Sequence, residues 1–150
     1  MHASPNQPKS RGQITLNSSD PYEYPKILFN YLKDEEDLKQ TRECIHVARK
    51  ILSQPALLEH AGKEVGPGSE AQSDEELNEY IKSKADTAYH PCGTCKMGVD
   101  DMAVVDENLR VKGIKNLRVI DASVIPEIPS ANLNAPVLMI AEKGSELILS

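Results

Sequence analysis

The sequence is poor in aromatic residues, with no Trp, one Phe and five Tyr among its 150 residues. We therefore expect a core made mostly of Leu, Ile, Val and Ala. Cysteine is also sparse, and an odd total of three argues against a disulfide framework and favours a reducing compartment. The first ten residues hold no apolar stretch typical of a signal peptide. No run of 18 apolar residues exists, so no transmembrane helix is expected.

Positive charge is scarce as well. The chain has 17 basic and 23 acidic residues, a net charge of −6. No segment concentrates Lys and Arg as phosphate backbones require, so no nucleic-acid partner is expected. Neither a Gly-x-Gly-x-x-Gly fingerprint nor a phosphate-binding loop is present, so the chain carries no dinucleotide site of its own.

Local patterns in the first half predict one short strand and two helices. Residues 1–12 are polar and contain Pro and Gly, which predicts a loose lead-in. Alternation predicts a strand at 13–16, whereas 26–32 fits a strand or a helical turn equally well. Apolar periodicity predicts a helix over 34–54, with acidic residues in its first turn and Pro55 as its stop.

A loop over 62–73, rich in Gly and Pro, separates this helix from the next. Ser73 and Glu76 then form a capping-box pattern that opens a short helix with Leu77, Tyr80 and Ile81 on one face.

The composition changes near residue 87, where the chain becomes less charged and richer in β-branched residues. Short strands are predicted at 104–105, 109–111 and 117–120, with a turn at Gly113 and Asn116. A final apolar helix follows, and Pro136 suits its first turn because a proline there sacrifices no hydrogen bond.

Taken one at a time, the polar residues of this half have ordinary interpretations. His90 suits a packing or surface role, Asp121 a turn or cap, and Asn132 and Asn134 helix capping. Cys92 and Cys95 form a Cys-x-x-Cys pair, but no second ligand pair at zinc-site spacing accompanies it and no clear helix start follows it. We favour the interpretation that these cysteines are two small buried residues in a tight turn.

Taken together, motifs in a fixed order resemble the C-terminal signature of the glucose–methanol–choline (GMC) oxidoreductases. The most specific is Tyr89–Gly98, which reads YHPCGTCKMG. The segments that follow it in the same order are Val104–Asp106, Leu109–Val111, Asn116–Pro126 and Asn132–Pro136. Upstream, Ser10–Gly12, Asp20–Pro21 and Asn30–Leu32 resemble the family's opening stretch of this region, so the resemblance covers about residues 9–149.

The resemblance implies a mixed α+β and α/β fold, the C-terminal part of the GMC fold. Residues 1–12 would be a lead-in. Residues 13–86 would end an antiparallel-sheet substrate-binding domain. Residues 87–150 would supply the closing strands and last helix of the FAD-binding domain, together with the active-site His and Asn.

The resemblance also implies a flavoprotein that oxidises a primary alcohol by hydride transfer to FAD, with choline, oxidised to betaine aldehyde, as the favoured substrate. His90 matches the active-site base, and Asn132 matches a second active-site position that is His or Asn in the family. Flavin contacts fall on Asp121, Ala122, Asn134, Pro136 and Val137. No metal ligand is implied.

The family's N-terminal glycine-rich domain has no counterpart in these 150 residues. We therefore predict that the isolated chain neither holds FAD tightly nor turns over, and that its partners are a small alcohol and the missing N-terminal part of the enzyme. The expected location is the cytoplasm or the membrane periphery, the mitochondrial inner membrane in a eukaryote.

Two other functions stay open at this point. One is a small thiol-redox or metal-binding module that uses Cys92 and Cys95. The other is a non-catalytic interaction domain, in which His90 and Asn132 only pack and cap.

Overall fold

A computed structural model describes residues 1–149. The chain divides into two compact units, unit 1 from Met1 to Asp86 and unit 2 from Thr87 onward. Which domain of a GMC enzyme each unit belongs to stays a prediction. Among the described residues, no helix is both long and apolar enough to cross a bilayer.

Unit 1 opens with a two-stranded antiparallel sheet. Strand β1 (Gln13–Thr15) pairs with strand β2 (Lys26–Leu28), and Ile14 lies opposite Ile27. The strand predicted at 13–16 is confirmed one residue shorter. The ambiguous segment 26–32 forms a strand in its first three residues only.

Three helices follow in unit 1: α1 (Glu35–Leu52), α2 (Pro55–Leu58) and α3 (Asp74–Lys84). The Asp34 side chain caps α1 by accepting the Glu36 N–H at 2.9 Å. The predicted capping box of α3 is present in both directions between Ser73 and Glu76. Pro55 does more than stop α1, because it is also the first residue of α2, a position that tolerates its missing N–H.

Two arginines of α1 bind α3 and the loop that precedes it. Arg42 contacts the start of α3, with Nη2 3.0 Å from Asp74 Oδ2 and Nη1 2.7 Å from Asn78 Oδ1. Arg49 binds the connecting loop, which has no helix between residues 62 and 73, as predicted. Its guanidinium lies 2.9 Å from Glu64 Oε1 and donates to the carbonyls of Gly68 and Ala71, each at 2.9 Å.

The lead-in is more ordered than the composition of residues 1–12 predicts. Asp37 of α1 is 2% exposed, and its carboxylate accepts the N–H groups of Lys9 at 2.6 Å and Ser10 at 2.8 Å. Ser10 Oγ in turn accepts the Asp34 N–H at 3.0 Å. The prediction of a loose lead-in is therefore wrong for these residues, because a carboxylate 27 positions away satisfies their backbone donors.

Unit 2 is built around one apolar cluster, the unit 2 core, formed by Val105, Leu109, Val124, Ile125, Leu133 and Ile140. A 3₁₀ turn at Ala122–Val124 and the last helix, α4 (Asn134–Leu149), both contribute to it. Pro136 lies in the first turn of α4, as predicted.

The three strands predicted in this half are wrong as strands. Only single bridges form, between Met97 and Val105, between Val105 and Val111, and between Arg110 and Arg118. For the segment 109–111 the physical reason lies at Leu109, which has a φ of 62° and whose N–H donates to the Asp106 carbonyl at 3.0 Å, so a turn interrupts the extended chain there. The predicted reversal at Gly113 and Asn116 is present, with φ values of 80° and 60°.

Candidate active site

His90 lies two residues before a segment that packs against the unit 2 core. It is half-buried, and Cys92, two residues further on, packs against the unit 2 core. The chain then continues alongside the 3₁₀ turn, because the N–H of Cys95 donates to Ser123 O at 3.0 Å and that of Met97 to Val124 O at 2.8 Å. The segment after His90 is thus attached to the segment that begins at Asp121.

Asn132 is exposed and directly precedes Leu133, which is 4% exposed and part of the unit 2 core. The Leu133 carbonyl accepts the Val137 N–H at 2.9 Å, so Leu133 takes the first hydrogen bond of α4. Asn132 therefore lies one residue before the cap position, and Asn134 is the first helical residue. The ordinary capping role does not account for either asparagine.

Asp121 caps the 3₁₀ turn. Its Oδ1 accepts the Ser123 N–H at 2.7 Å while the residue stays exposed. Ala122 packs against the unit 2 core. The Asp121 side chain is thus fixed by its own turn, and the next residue along the chain is half-buried against the unit 2 core.

The first turn of α4 leaves backbone donors open. Within residues 1–149, the N–H groups of Asn134 and Ala135 find no acceptor, and Pro136 has no N–H. Such a helix start favours negative charge. Val137, in the next position, packs against the unit 2 core and fixes the direction of this turn.

All seven predicted site residues belong to unit 2. Ala122 and Val137 pack against its core, and each of the other five lies within two positions of a residue that belongs to the core or packs against it. The core thus joins segments as far apart in the sequence as Cys92 and Val137. Their catalytic and flavin-binding roles stay predictions.

Cys92 and Cys95 are both half-buried, and neither forms a disulfide within residues 1–149. They flank a tight turn in which the Lys96 N–H donates to the Gly93 carbonyl at 3.2 Å, and no helix begins after them. Among residues 1–149, no group of three or more His, Cys, Asp and Glu is placed to hold a metal ion.

A groove of about 500 Å³ in unit 2 lies elsewhere. It is lined by Asp106 and residues 110–118. None of the seven predicted site residues lines it.

Sequence reasoning missed the backbone of Tyr89, which has a φ of 58° directly before His90. A tyrosine carries no signal for that conformation, unlike a glycine or an asparagine. It also missed Arg118, which donates to the carbonyl of Leu147 at 3.0 Å and so fixes the far end of α4.

Comparison with known proteins places this arrangement in one family. The family model described as GMC oxidoreductase matches residues 8–141. The chain therefore belongs to the GMC oxidoreductase family, as its motifs indicated.

Particular relatives sharpen the comparison. The chain is 50% identical, over 151 aligned residues, to the oxygen-dependent choline dehydrogenase of Vibrio vulnificus, with 99% of this chain and 27% of that protein covered. Among solved structures, pyridoxine 4-oxidase from Mesorbium loti matches with a TM-score of 0.87 and 35% identity, covering 94% of this chain and 28% of that one. Formate oxidase from Aspergillus oryzae, in a structure concerned with FAD modification, matches with a TM-score of 0.87 and 35% identity, covering 94% and 25%. The chain spans about a quarter of the length of these relatives.

Proposed function

We propose that this chain is the C-terminal part of the machinery of an FAD-dependent enzyme that oxidises a primary alcohol, with choline as the substrate. The observation that carries the proposal is the 50% identity, across nearly the whole chain, to a protein named oxygen-dependent choline dehydrogenase. The packing of Ala122 and Val137 against one core, with the other five candidate residues within two positions of residues that belong to that core or pack against it, supports the proposal.

His90 is proposed as the base that takes the hydroxyl proton of the alcohol. An imidazole suits this task because its ordinary pKa lies near neutrality. His90 is half-buried, and no hydrogen bond or ion pair within residues 1–149 occupies its ring, so the ring is available to a substrate.

Asn132 is proposed to hydrogen-bond the substrate oxygen and hold its orientation. Its side chain is exposed and makes no hydrogen bond to the described residues, which leaves both the amide donor and the carbonyl acceptor open. The buried neighbour Leu133 fixes the backbone from which it projects.

The residues present fit one edge of FAD. The open N–H groups of Asn134 and Ala135 favour negative charge at the start of α4, and Asp121, Ala122, Pro136 and Val137 would line the same edge. When bound, FAD accepts the hydride released by the carbinol carbon. Because the sequence holds no glycine-rich phosphate loop, the remainder of the cofactor needs residues outside these 150.

The same proposal assigns the two units. Residues 13–86 would complete a substrate-binding domain and residues 87–150 an FAD-binding domain, with residues 1–12 leading in. The partners would be a small alcohol and the N-terminal FAD-binding part. The proposed location is the cytoplasm or the membrane periphery, including the mitochondrial inner membrane in a eukaryote.

A chimera tests this proposal. The matching quarter of the Vibrio vulnificus enzyme is replaced by this chain, and the product is assayed for FAD content and for choline-dependent reduction of a dye and of oxygen. We expect FAD-bound protein that oxidises choline. A folded, FAD-bound chimera that is inactive towards choline and other alcohols would refute the proposal.

The isolated chain provides the complementary test. We expect the purified 150-residue protein to show no flavin absorbance after incubation with FAD and no alcohol-dependent dye reduction. Tight flavin binding with turnover would overturn the requirement for further residues.

A further inference from the structure

The residue directly before His90 has a backbone conformation that side chains disfavour. Tyr89 has a φ of 58°, in the left-handed region, where residues other than Gly, Asn and Asp are uncommon. Its ring is 78% exposed, so packing of the ring within unit 2 does not explain the conformation. Backbone outliers of this kind persist where the surrounding chain holds them, and they cluster at functional sites.

A hydrogen bond to Thr87 stabilises this conformation. The Tyr89 N–H donates to Thr87 Oγ1 at 3.0 Å, a hydroxyl-to-backbone bond that closes a tight turn over residues 87–89, directly before His90. Thr87 itself is half-buried.

Pro91 restricts the chain from the other side. A residue before proline is disfavoured in the helical region, so Pro91 narrows the conformations open to the His90 backbone. One position further on, Cys92 packs against the unit 2 core. The backbone of His90 is therefore fixed on both sides while no hydrogen bond within residues 1–149 holds its ring.

We propose that Tyr89 and Thr87 are positioning residues, with the left-handed Tyr89 backbone and the Thr87 hydroxyl setting the direction in which the His90 side chain projects. The inference rests on the proposed role of His90 as the base. The ring nitrogen that takes the proton must stay open to the substrate. No hydrogen bond within residues 1–149 orients His90 through its other ring nitrogen, so the direction of its side chain depends on its backbone. A displacement of about 1 Å at such a group costs roughly a hundredfold in rate.

The first test compares Tyr89→Asn with Tyr89→Val in the chimera. Both remove the ring and are close in size, but Asn tolerates the left-handed conformation and a β-branched Val does not. We expect Tyr89→Val to lower kcat by about tenfold to a hundredfold with a smaller change in KM, and Tyr89→Asn to retain most of kcat. Equal kcat values for the two variants would overturn the inference.

A second matched pair examines the hydroxyl. Thr87→Val removes the acceptor at nearly constant shape, and Thr87→Ser keeps it. We expect the Val variant to lose kcat in the same direction as Tyr89→Val and the Ser variant to restore it. A kcat of the Ser variant no higher than that of the Val variant would contradict the proposed role of the Thr87 hydroxyl. FAD absorbance checks that each chimera carries its cofactor.

Histidine NMR gives a readout that needs no cofactor or turnover. The chain has four histidines, so His2, His46 and His60 serve as internal references for His90 in the 150-residue protein labelled with ¹³C-histidine. We expect Tyr89→Val and Thr87→Val to move the His90 ring resonances alone, and the Asn and Ser variants to leave them in place. If His90→Ala leaves alcohol oxidation unchanged, the proposed role of His90 as the base fails, yet these resonances still decide whether Tyr89 and Thr87 orient the ring.

Discussion

Gly144 of α4 lies directly against Ile120, so closely that a Cβ at position 144 would fall 2.5 Å from Ile120 Cγ2 and 2.9 Å from Cδ1. Glycine in a helix interior is otherwise unfavourable by about 1 kcal/mol relative to alanine. Its presence here lets α4 approach the segment that leads to Asp121. The contact therefore sets how α4 is placed relative to the 3₁₀ turn.

Replacing this glycine tests that contact. We expect Gly144→Ala to destabilise the chain by a net of about 1–2 kcal/mol, because overpacking against a branched side chain exceeds the gain in helix propensity. Urea unfolding of the 150-residue protein measures it. Gly62→Ala is the matched control, since nothing lies within 4 Å of a Cβ there. Adding Ile120→Ala should relieve part of the clash, and additive losses in the double variant would contradict the proposed contact.

Asp37 is expected to stabilise unit 1 through the backbone donors it accepts. Burial alone would raise the pKa of its carboxyl. Hydrogen bonds from the Ser10 hydroxyl and from the Lys9 and Ser10 N–H groups, together with the charge of Arg11, lower the pKa by a larger amount, so it lies below its usual value of 3.8. We expect Asp37→Asn to cost about 1–3 kcal/mol at pH 7, because the amide turns a donor towards one of these N–H groups.

The pH dependence of that loss has a definite sign. Because the folded-state pKa is lowered, the contribution of Asp37 is present above about pH 3.8 and disappears as the pH falls through the lower folded value. The stability difference between Asp37→Asn and the parent chain, followed by urea unfolding, should hold from pH 7 to about pH 4 and shrink below it. Asp101→Asn, at an exposed position, is the control. A difference that grows on acidification would contradict the assignment.

Local signals predicted the parts of this fold that depend on neighbouring residues. The acidic first turn of α1, the Ser73–Glu76 capping box and the position of Pro136 all follow from residues within four positions of one another. The misses depend on distant partners or on conformations without a residue signature. Lys9 and Ser10 are held by Asp37, and Leu109 turns left-handed although leucine seldom does so.

For the candidate site too, some features could be predicted from the sequence and others could not. The fixed order of motifs identified its residues, and periodicity alone would have left His90 and Asn132 as ordinary packing and capping residues. The backbone of Tyr89 and the approach of Gly144 to Ile120 could not be predicted, because each arises from tertiary packing or from a turn that no residue type announces.

The cysteine pair gives a test between the oxidoreductase and the thiol or metal module. We expect the double variant Cys92→Ser and Cys95→Ser to retain FAD and choline oxidation in the chimera, because neither thiol has a role in the proposed chemistry. Cys92 packs against the unit 2 core, so a stability loss of about 1 kcal/mol is expected from the buried hydroxyl. Loss of stoichiometric zinc or of a thiol-dependent activity would favour the module instead.

Asn132 should be more tolerant of histidine than of alanine. The resemblance to the family implies His or Asn at this position, and both can hydrogen-bond an alcohol oxygen. We expect Asn132→Ala in the chimera to lower kcat/KM for choline by about tenfold, the effect of one lost hydrogen bond of roughly 1.4 kcal/mol, and Asn132→His to recover part of it. Steady-state kinetics with choline measure both, and equal values for the two variants would argue against a substrate hydrogen bond.

His90 is the residue on which the proposed chemistry depends most. Removing a general base costs typically about 10²–10⁴ in rate, so His90→Ala in the chimera should lower kcat for choline by that range while FAD stays bound. His60→Ala is the control, because His60 is exposed in unit 1 and its nearest charged partner is Glu59, with Nε2 3.3 Å from Oε1. The limb of the pH–rate profile that reports deprotonation of the base should also disappear in His90→Ala and persist in His60→Ala. An unchanged rate and profile in His90→Ala would show that another group takes the proton and that His90 is not the base.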